Sequence, residues 1–135
     1  MMEWNDSLSC NHNGIDNQHK KLIEIINKVS AALVAEEYEF EKVVDIVTDL
    51  DSYIDEHFKF EEKLMKKNDF PESKEHLSEH NDLRIKMDKM NIFDVKNHEE
   101  FFSDLLIYLI EWLTNHIMKI DKNLGIYIAV KDAEK

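Results

Sequence analysis

Five histidines and one acid stand where amphipathic helices would be expected to place hydrocarbon, namely His19, His57, Glu61, His76, His80 and His116, and Asp121 follows close behind the last of them. His57 with Glu61, and His76 with His80, are spaced i,i+4, so each pair shares a helix face and can converge on one point. His116 and Asp121 are five apart, which an ideal helix rotates off one face; the spacing predicts a π-bulge or an unwound turn between them. Imidazole with carboxylate and no thiolate suits iron, manganese or zinc rather than copper(I) or an iron–sulfur cluster. Five histidines give five bonds, two carboxylates that each bridge give four, and one bridging hydroxide gives two. That is one bond short of two octahedra, so a two-metal centre built this way keeps one open position for a small ligand. A lone histidine on a helix stripe is ordinarily a hydrogen-bonded core or boundary residue; it is the seven together that point to metal. His12 and His98 fall outside the pattern and are expected at the surface. Cys10 has no histidine placed as a base in a recognisable motif and reads as inert, so no catalytic residue is assigned.

Four stripes with spacings of three and four residues must position these groups. They run His19-Leu22-Ile26-Val29-Leu33, then Val43 through Val47, Leu50, Ile54, His57, Glu61 and Leu64. The third holds His76, His80, Leu83, Met87 and Met90, and the fourth Phe102, Leu105, Leu109, Trp112, His116 and Ile120. Short polar breaks separate them: Glu36–Glu39, Lys67–Pro71 and Asn91–Asn97. Breaks this short make sequential helices antiparallel neighbours, so the expectation is an all-α, up-down-up-down antiparallel four-helix bundle. It is read as a single domain over residues 1–135, with an irregular N-terminal arm over 1–16, helices over 17–36, 40–67, 72–90 and 98–121, and a short C-terminal helical segment around Leu124, Ile126 and Ile128. The ligand-type residues lie near the start of the first and third helices and near the end of the second and fourth. In this topology all seven collect at one end of the core. Left unsatisfied there, each would cost roughly 1–3 kcal/mol.

With two glycines and one proline the chain is unsuited to a loop-rich β architecture. A formal charge of −12 repels nucleic acid and anionic membrane surfaces, and neither is expected as a partner. One cysteine excludes an internal disulfide and a thiolate-rich metal site. The first residues have neither a basic nor an apolar leader region, and no segment approaches about 18 apolar uncharged residues. A soluble, cytoplasmic protein is expected.

The ordered pattern H…HxxxE…HxxxH…HxxxxD resembles the signature of the hemerythrin family. The local contexts are similar too: Ile15-Asp16-Asn17-Gln18-His19-Lys20, His57-Phe58-Lys59-Phe60-Glu61-Glu62, His76-Leu77-Ser78-Glu79-His80, and Trp112-Leu113-Thr114-Asn115-His116-Ile117 through to Asp121. The arm with Trp4 and the short final segment resemble the bacterial single-domain branch, the bacteriohemerythrins. The resemblance implies two iron ions (Fe2+/Fe3+) with a bridging hydroxide or oxo group. His76, His80 and His116 would hold one iron, and His19 and His57 the other, which keeps the open position. Glu61 and Asp121 would bridge the pair. Phe58, Trp112, Leu113 and Ile117 would wall the O2 pocket. The implied function is reversible O2 binding for storage, delivery or buffering, with O2 held as hydroperoxide and the proton supplied by the bridge. The implied partners are O2 and an O2-consuming recipient, and the implied state is a monomer. Ser9-Cys10-Asn11-His12 departs from the usual arm pattern.

Two other functions share these residues. A di-iron enzyme, such as an oxidase, a peroxidase or a nitric-oxide reductase, would use Glu-x-x-His pairs in a carboxylate-rich site. No histidine here has a glutamate three residues before it, which favours binding over oxygen activation. An O2 or redox sensor would need an output, and no signalling or DNA-binding segment is legible, which leaves action through a separate partner.

Overall fold

A computed structural model describes residues 2–89 and 97–134 as helices joined by turns, with no strand among them. The elements are α1 (Asn13–Leu33), α2 (Phe40–Lys67), α3 (Ser73–Asp88), α4 (His98–Asn115) and α5 (Lys122–Ala133). A single 3-10 turn at Asp6–Leu8 lies in the arm, and one stretch of π-helix, His116–Asp121, links α4 to α5 without a break. The four longer helices form the expected bundle: α1 lies against α2 and α4, and α2 against α3. Lys86 over Tyr108 brings α3 to α4, and a ring contact between His80 and His116 brings it to the π-helical stretch that follows. Among the described residues no helix is long and apolar enough to cross a membrane. Met90 of the third stripe and most of the break placed at Asn91–Asn97 lie outside the described residues.

The stripes are the core. Leu22, Ile26, Val29, Leu50, Ile54, Leu83, Phe102 and Leu109 are all buried, and burying each such side chain contributes about 1.5–3 kcal/mol. The helix limits follow local chemistry. α1 begins at Asn13, ahead of the expected residue 17, because the Nδ1 of His12 accepts the Ile15 N–H at 3.1 Å and caps the helix. It ends at Leu33, since Val34 leaves helical geometry and is 81% exposed. Pro71 sits in the turn between α2 and α3, where neither helix needs its missing N–H. The Asn97 side chain accepts the Glu100 N–H at 3.1 Å and caps α4.

The arm is ordered by α1 and α5. Asp16 accepts the Cys10 N–H at 2.7 Å and the Ser9 hydroxyl at 2.6 Å. On the other side the Cys10 carbonyl lies so close to Gly125 of α5 that an added Cβ would sit 1.7 Å from its oxygen. Backbone cannot yield there as a side-chain tip can. Gly125→Ala is therefore expected to displace the arm and cost about 1–3 kcal/mol. Gly14→Ala meets only the tips of the Phe60 and His12 rings, at 2.9 and 3.0 Å, and should cost less. Thermal unfolding of the two variants checks this; a Gly125→Ala protein that melts with the wild type would contradict the packing.

Candidate metal centre

All seven of the singled-out side chains meet in the core at one end of the bundle. His19, His76, His80, Glu61 and Asp121 have no solvent exposure, and His57 and His116 have 1% and 3%. The ring nitrogens face inward: His19 Nε2 is 3.1 Å from His57 Nε2, and His80 Nε2 is 3.2 Å from His116 Nε2. Asp121 stands between the groups. Its Oδ2 is 2.7 Å from His19 Nε2, and its Oδ1 is 2.9 Å from His116 and 3.0 Å from His76. Glu61 Oε1 lies 3.0 Å from His57 and 3.3 Å from His80.

The π-helical stretch achieves the pairing of His116 with Asp121. One wider turn returns His116 and Asp121 to the same face, as their five-residue spacing requires. The donors fall into two overlapping sets. Glu61, His76, His80, His116 and Asp121 offer ligand atoms within 4.8 Å of one another, and so do His19, His57, Glu61 and Asp121.

Proximity does not satisfy these groups. Both Glu61 oxygens, both His76 ring nitrogens and Asp121 Oδ1 are buried with no hydrogen-bond partner. Lone pairs of imidazole and carboxylate converging without donors between them are what a cation would satisfy. The residues present fit a metal.

Without a cation, protons must do that work. Burial disfavours a charged ring at His57, yet Glu61 and Asp121 hold its pKa up at about 10. The same opposition at His76 leaves it at about 9. At His80 burial outweighs the pull of Glu61, and the value falls. Burial, joined at Glu61 by repulsion from Asp121, works against both carboxylates, but the surrounding imidazoles hold them low.

The rings are also held from behind. His57 Nδ1 is 2.6 Å from Gln18 Oε1, and His80 Nδ1 is 2.9 Å from Glu62 Oε2. Phe58 stacks on His80 at 3.9 Å between centroids, and Trp112 on His116 at 4.5 Å. Phe58, Leu113 and Ile117 are buried and Trp112 is half-buried.

Three sequence expectations need correction. Cys10 is inert as a nucleophile, since burial, Asp121 and Asp16 push its thiol far above the usual range. It does have a histidine partner, however: its Sγ is 4.0 Å from His19 Nδ1, brought there by the folded arm. His98 is half-buried rather than fully at the surface. α2 and α4 start at the same end of the bundle, so its ring stacks on Phe40 at 4.1 Å, at the end opposite the cluster. His12 is a half-buried helix cap. Gln18, Glu62 and Arg84 were missed as contributors to the site. Gln18 and Glu62 each sit one residue beside a cluster residue, an adjacency that could have signalled them.

A helical bundle with a buried histidine–carboxylate cluster able to hold metal is the class that fold and site define. The family model described as "Hemerythrin HHE cation binding domain" matches residues 11–125. Over 125 residues the chain is 29% identical to a protein named Bacteriohemerythrin from Clostridium acetobutylicum, covering 90% of this chain and 97% of that one. It is 30% identical over 128 residues to Bacteriohemerythrin of Methylococcus capsulatus, covering 93% and 95%. The corresponding protein of Pseudomonas aeruginosa is 31% identical over 118 residues, covering 87% and 75%. The chain belongs to the hemerythrin family.

The pKa values carry a prediction for chelated protein. An unfolded histidine titrates near 6.5, whereas folded His57 and His76 titrate near 10 and 9. Between those limits the folded metal-free chain binds more protons than the unfolded one, so its stability falls as pH rises from about 6.5 to 10. Metal displaces the same protons, so metal affinity rises over that window. Denaturant midpoints of the chelated protein across the range test the first statement; a midpoint that climbs with pH would refute it.

Proposed function

We propose that this chain holds two irons with a bridging hydroxide or oxo group and binds O2 reversibly, as a storage, delivery or buffering protein over one domain, residues 1–135. The division of the donors into two sets that share Glu61 and Asp121 carries this reading. His76, His80 and His116 with the two acids would hold one iron through five protein donors. His19 and His57 with the same acids would hold the other through four. With the bridge added, the first set would complete six ligands and the second would leave one position for O2. When bound, the iron pair supplies two electrons and that open position to O2.

The chain's own residues supply the rest. Asp121 turns Oδ2 to His19 and Oδ1 to His76 and His116, and Glu61 turns Oε1 to both His57 and His80, so each acid reaches both sets. Phe58, Leu113 and Ile117, at 2% exposure or less, exclude water from the hydrocarbon around them, and a dry wall suppresses side reactions with solvent protons. Trp112 and Phe58 fix the His116 and His80 ring planes by stacking. Seven donors with five imidazoles favour binding over oxygen activation, which typically uses carboxylate-rich sites.

The test is optical titration of the reduced, iron-loaded protein with O2, followed by removal of O2, together with iron content. Two irons per chain and a band that appears and vanishes with O2 are expected. Asp121→Ala removes a donor common to both sets and should lose iron. Leu113→Asn should keep both irons but shorten the lifetime of the oxygenated band, as water gains access. His98→Gln, at the far end of the bundle, should keep its iron. One metal per chain, or an Asp121→Ala protein with both irons and full O2 binding, would overturn the reading.

A further inference from the structure

We propose that Glu62 is a positioning residue for the metal centre, holding His80 by its Nδ1–H and placing a fixed carboxylate charge directly behind that ligand. The inference rests on the two-iron reading above. His80 turns Nε2 toward Glu61, at 3.3 Å, so a metal-binding tautomer carries its proton on Nδ1 and donates it to Glu62 at 2.9 Å. A carboxylate in that position makes the imidazole a stronger donor and fixes its orientation.

Glu62 is itself held. Arg84 donates from Nη1 to Glu62 Oε2 at 2.8 Å and from Nη2 to Oε1 at 3.3 Å, and its Nε donates to Asp55 at 3.1 Å. The guanidinium also lies 5.2 Å from the centre of the Phe58 ring, the same ring that stacks on His80. Arg84 thus braces both neighbours of His80, the one behind its nitrogen and the one against its face. Glu62 and Arg84 are only 25% and 23% exposed, so water screens their contact poorly.

The other rings are backed differently. His57 Nδ1 meets the neutral amide oxygen of Gln18, and His19 Nδ1 meets the thiol of Cys10. Asp16 lies within 4.8 Å of His19, but it accepts from Ser9 and Cys10. Nδ1 of His76 and of His116 is buried with no hydrogen-bond partner. Among the described residues, Glu62 is the carboxylate hydrogen-bonded to an outward ring nitrogen of the cluster. Its charge favours the more oxidised metal at the set containing His80.

Glu62→Gln separates charge from shape, because the amide oxygen can still accept from Nδ1. The variant should bind iron about 10- to 100-fold more weakly than wild type. Its reduction potential should rise, and in protein loaded with 57Fe one of the two Mössbauer signals should change while the other stays. Gln18→Glu adds a carboxylate behind His57 and should move the potential the opposite way; it reads the same effect should Glu62→Gln fold poorly. Wild-type affinity and potential in a folded Glu62→Gln protein, or a Gln18→Glu potential equal to wild type, would overturn the proposal. Either result in a protein whose wild type holds two irons leaves the two-iron reading standing; a wild type with one metal sinks that reading instead.

Discussion

The organising constraint of this molecule is the presence of two carboxylates and five imidazoles in a space that excludes water. Glu61 and Asp121 are fully buried, and neither can find enough donors among uncharged rings. A protein interior tolerates such a cluster only if positive charge enters it, as protons or as metal. The metal-free chain is driven to the first solution, which explains why His57 and His76 hold protons so far above the usual histidine range. Cations would replace several partly compensated protons with compact charges, each reached by the lone pairs of one of the two donor sets. Folding and metal binding are therefore linked at these seven residues.

Gathering the seven at one point is a problem of helix geometry. Two pairs solve it by i,i+4 spacing alone, and His19 by its place near the start of α1. His116 and Asp121 cannot, and the chain inserts a π-helical stretch for them. Because that stretch continues directly into α5, the distortion also aims the last helix. α5 then returns over the arm at Gly125 and ties to the α2–α3 turn, where Tyr127 and Lys131 donate to the Asn68 carbonyl at 3.0 and 2.6 Å. The geometry of the cluster and the path of the C-terminal segment are thus one feature.

Legibility in the sequence followed the same division. Stripes of period 3.6, short polar breaks and the positions of polar residues on those stripes are local patterns, and they fixed both the bundle and the end at which the cluster forms. The i,i+5 step announced its own distortion. Contacts made by neighbours off the stripe were not legible. Gln18 and Glu62 stand beside cluster residues, but only the bundle's packing turns them behind the ring of another helix. Cys10 reaches His19 through an arm whose course depends on Asp16 and on a glycine more than a hundred residues away. His98 lay outside the metal pattern and so read as surface, although its ring has a partner in Phe40 that no periodicity reveals.

The rings of the cluster are not held alike, and the difference bears on what the site can do. His80 is fixed twice, by Glu62 at its nitrogen and by Phe58 across its face. His116 has Trp112 on its face but no hydrogen bond at Nδ1. His57 has Gln18 at its nitrogen and an edge contact with His19, whose own thiol partner is weak and long. Stacked aromatics concentrate on the His80–His116 side, while the His19–His57 side is backed by an amide and a thiol. Packing and hydrogen bonds from neighbouring side chains are what hold a site's groups in place. The neighbours therefore hold the two sides unequally, and the more firmly stacked side is the one that belongs to the five-member donor set.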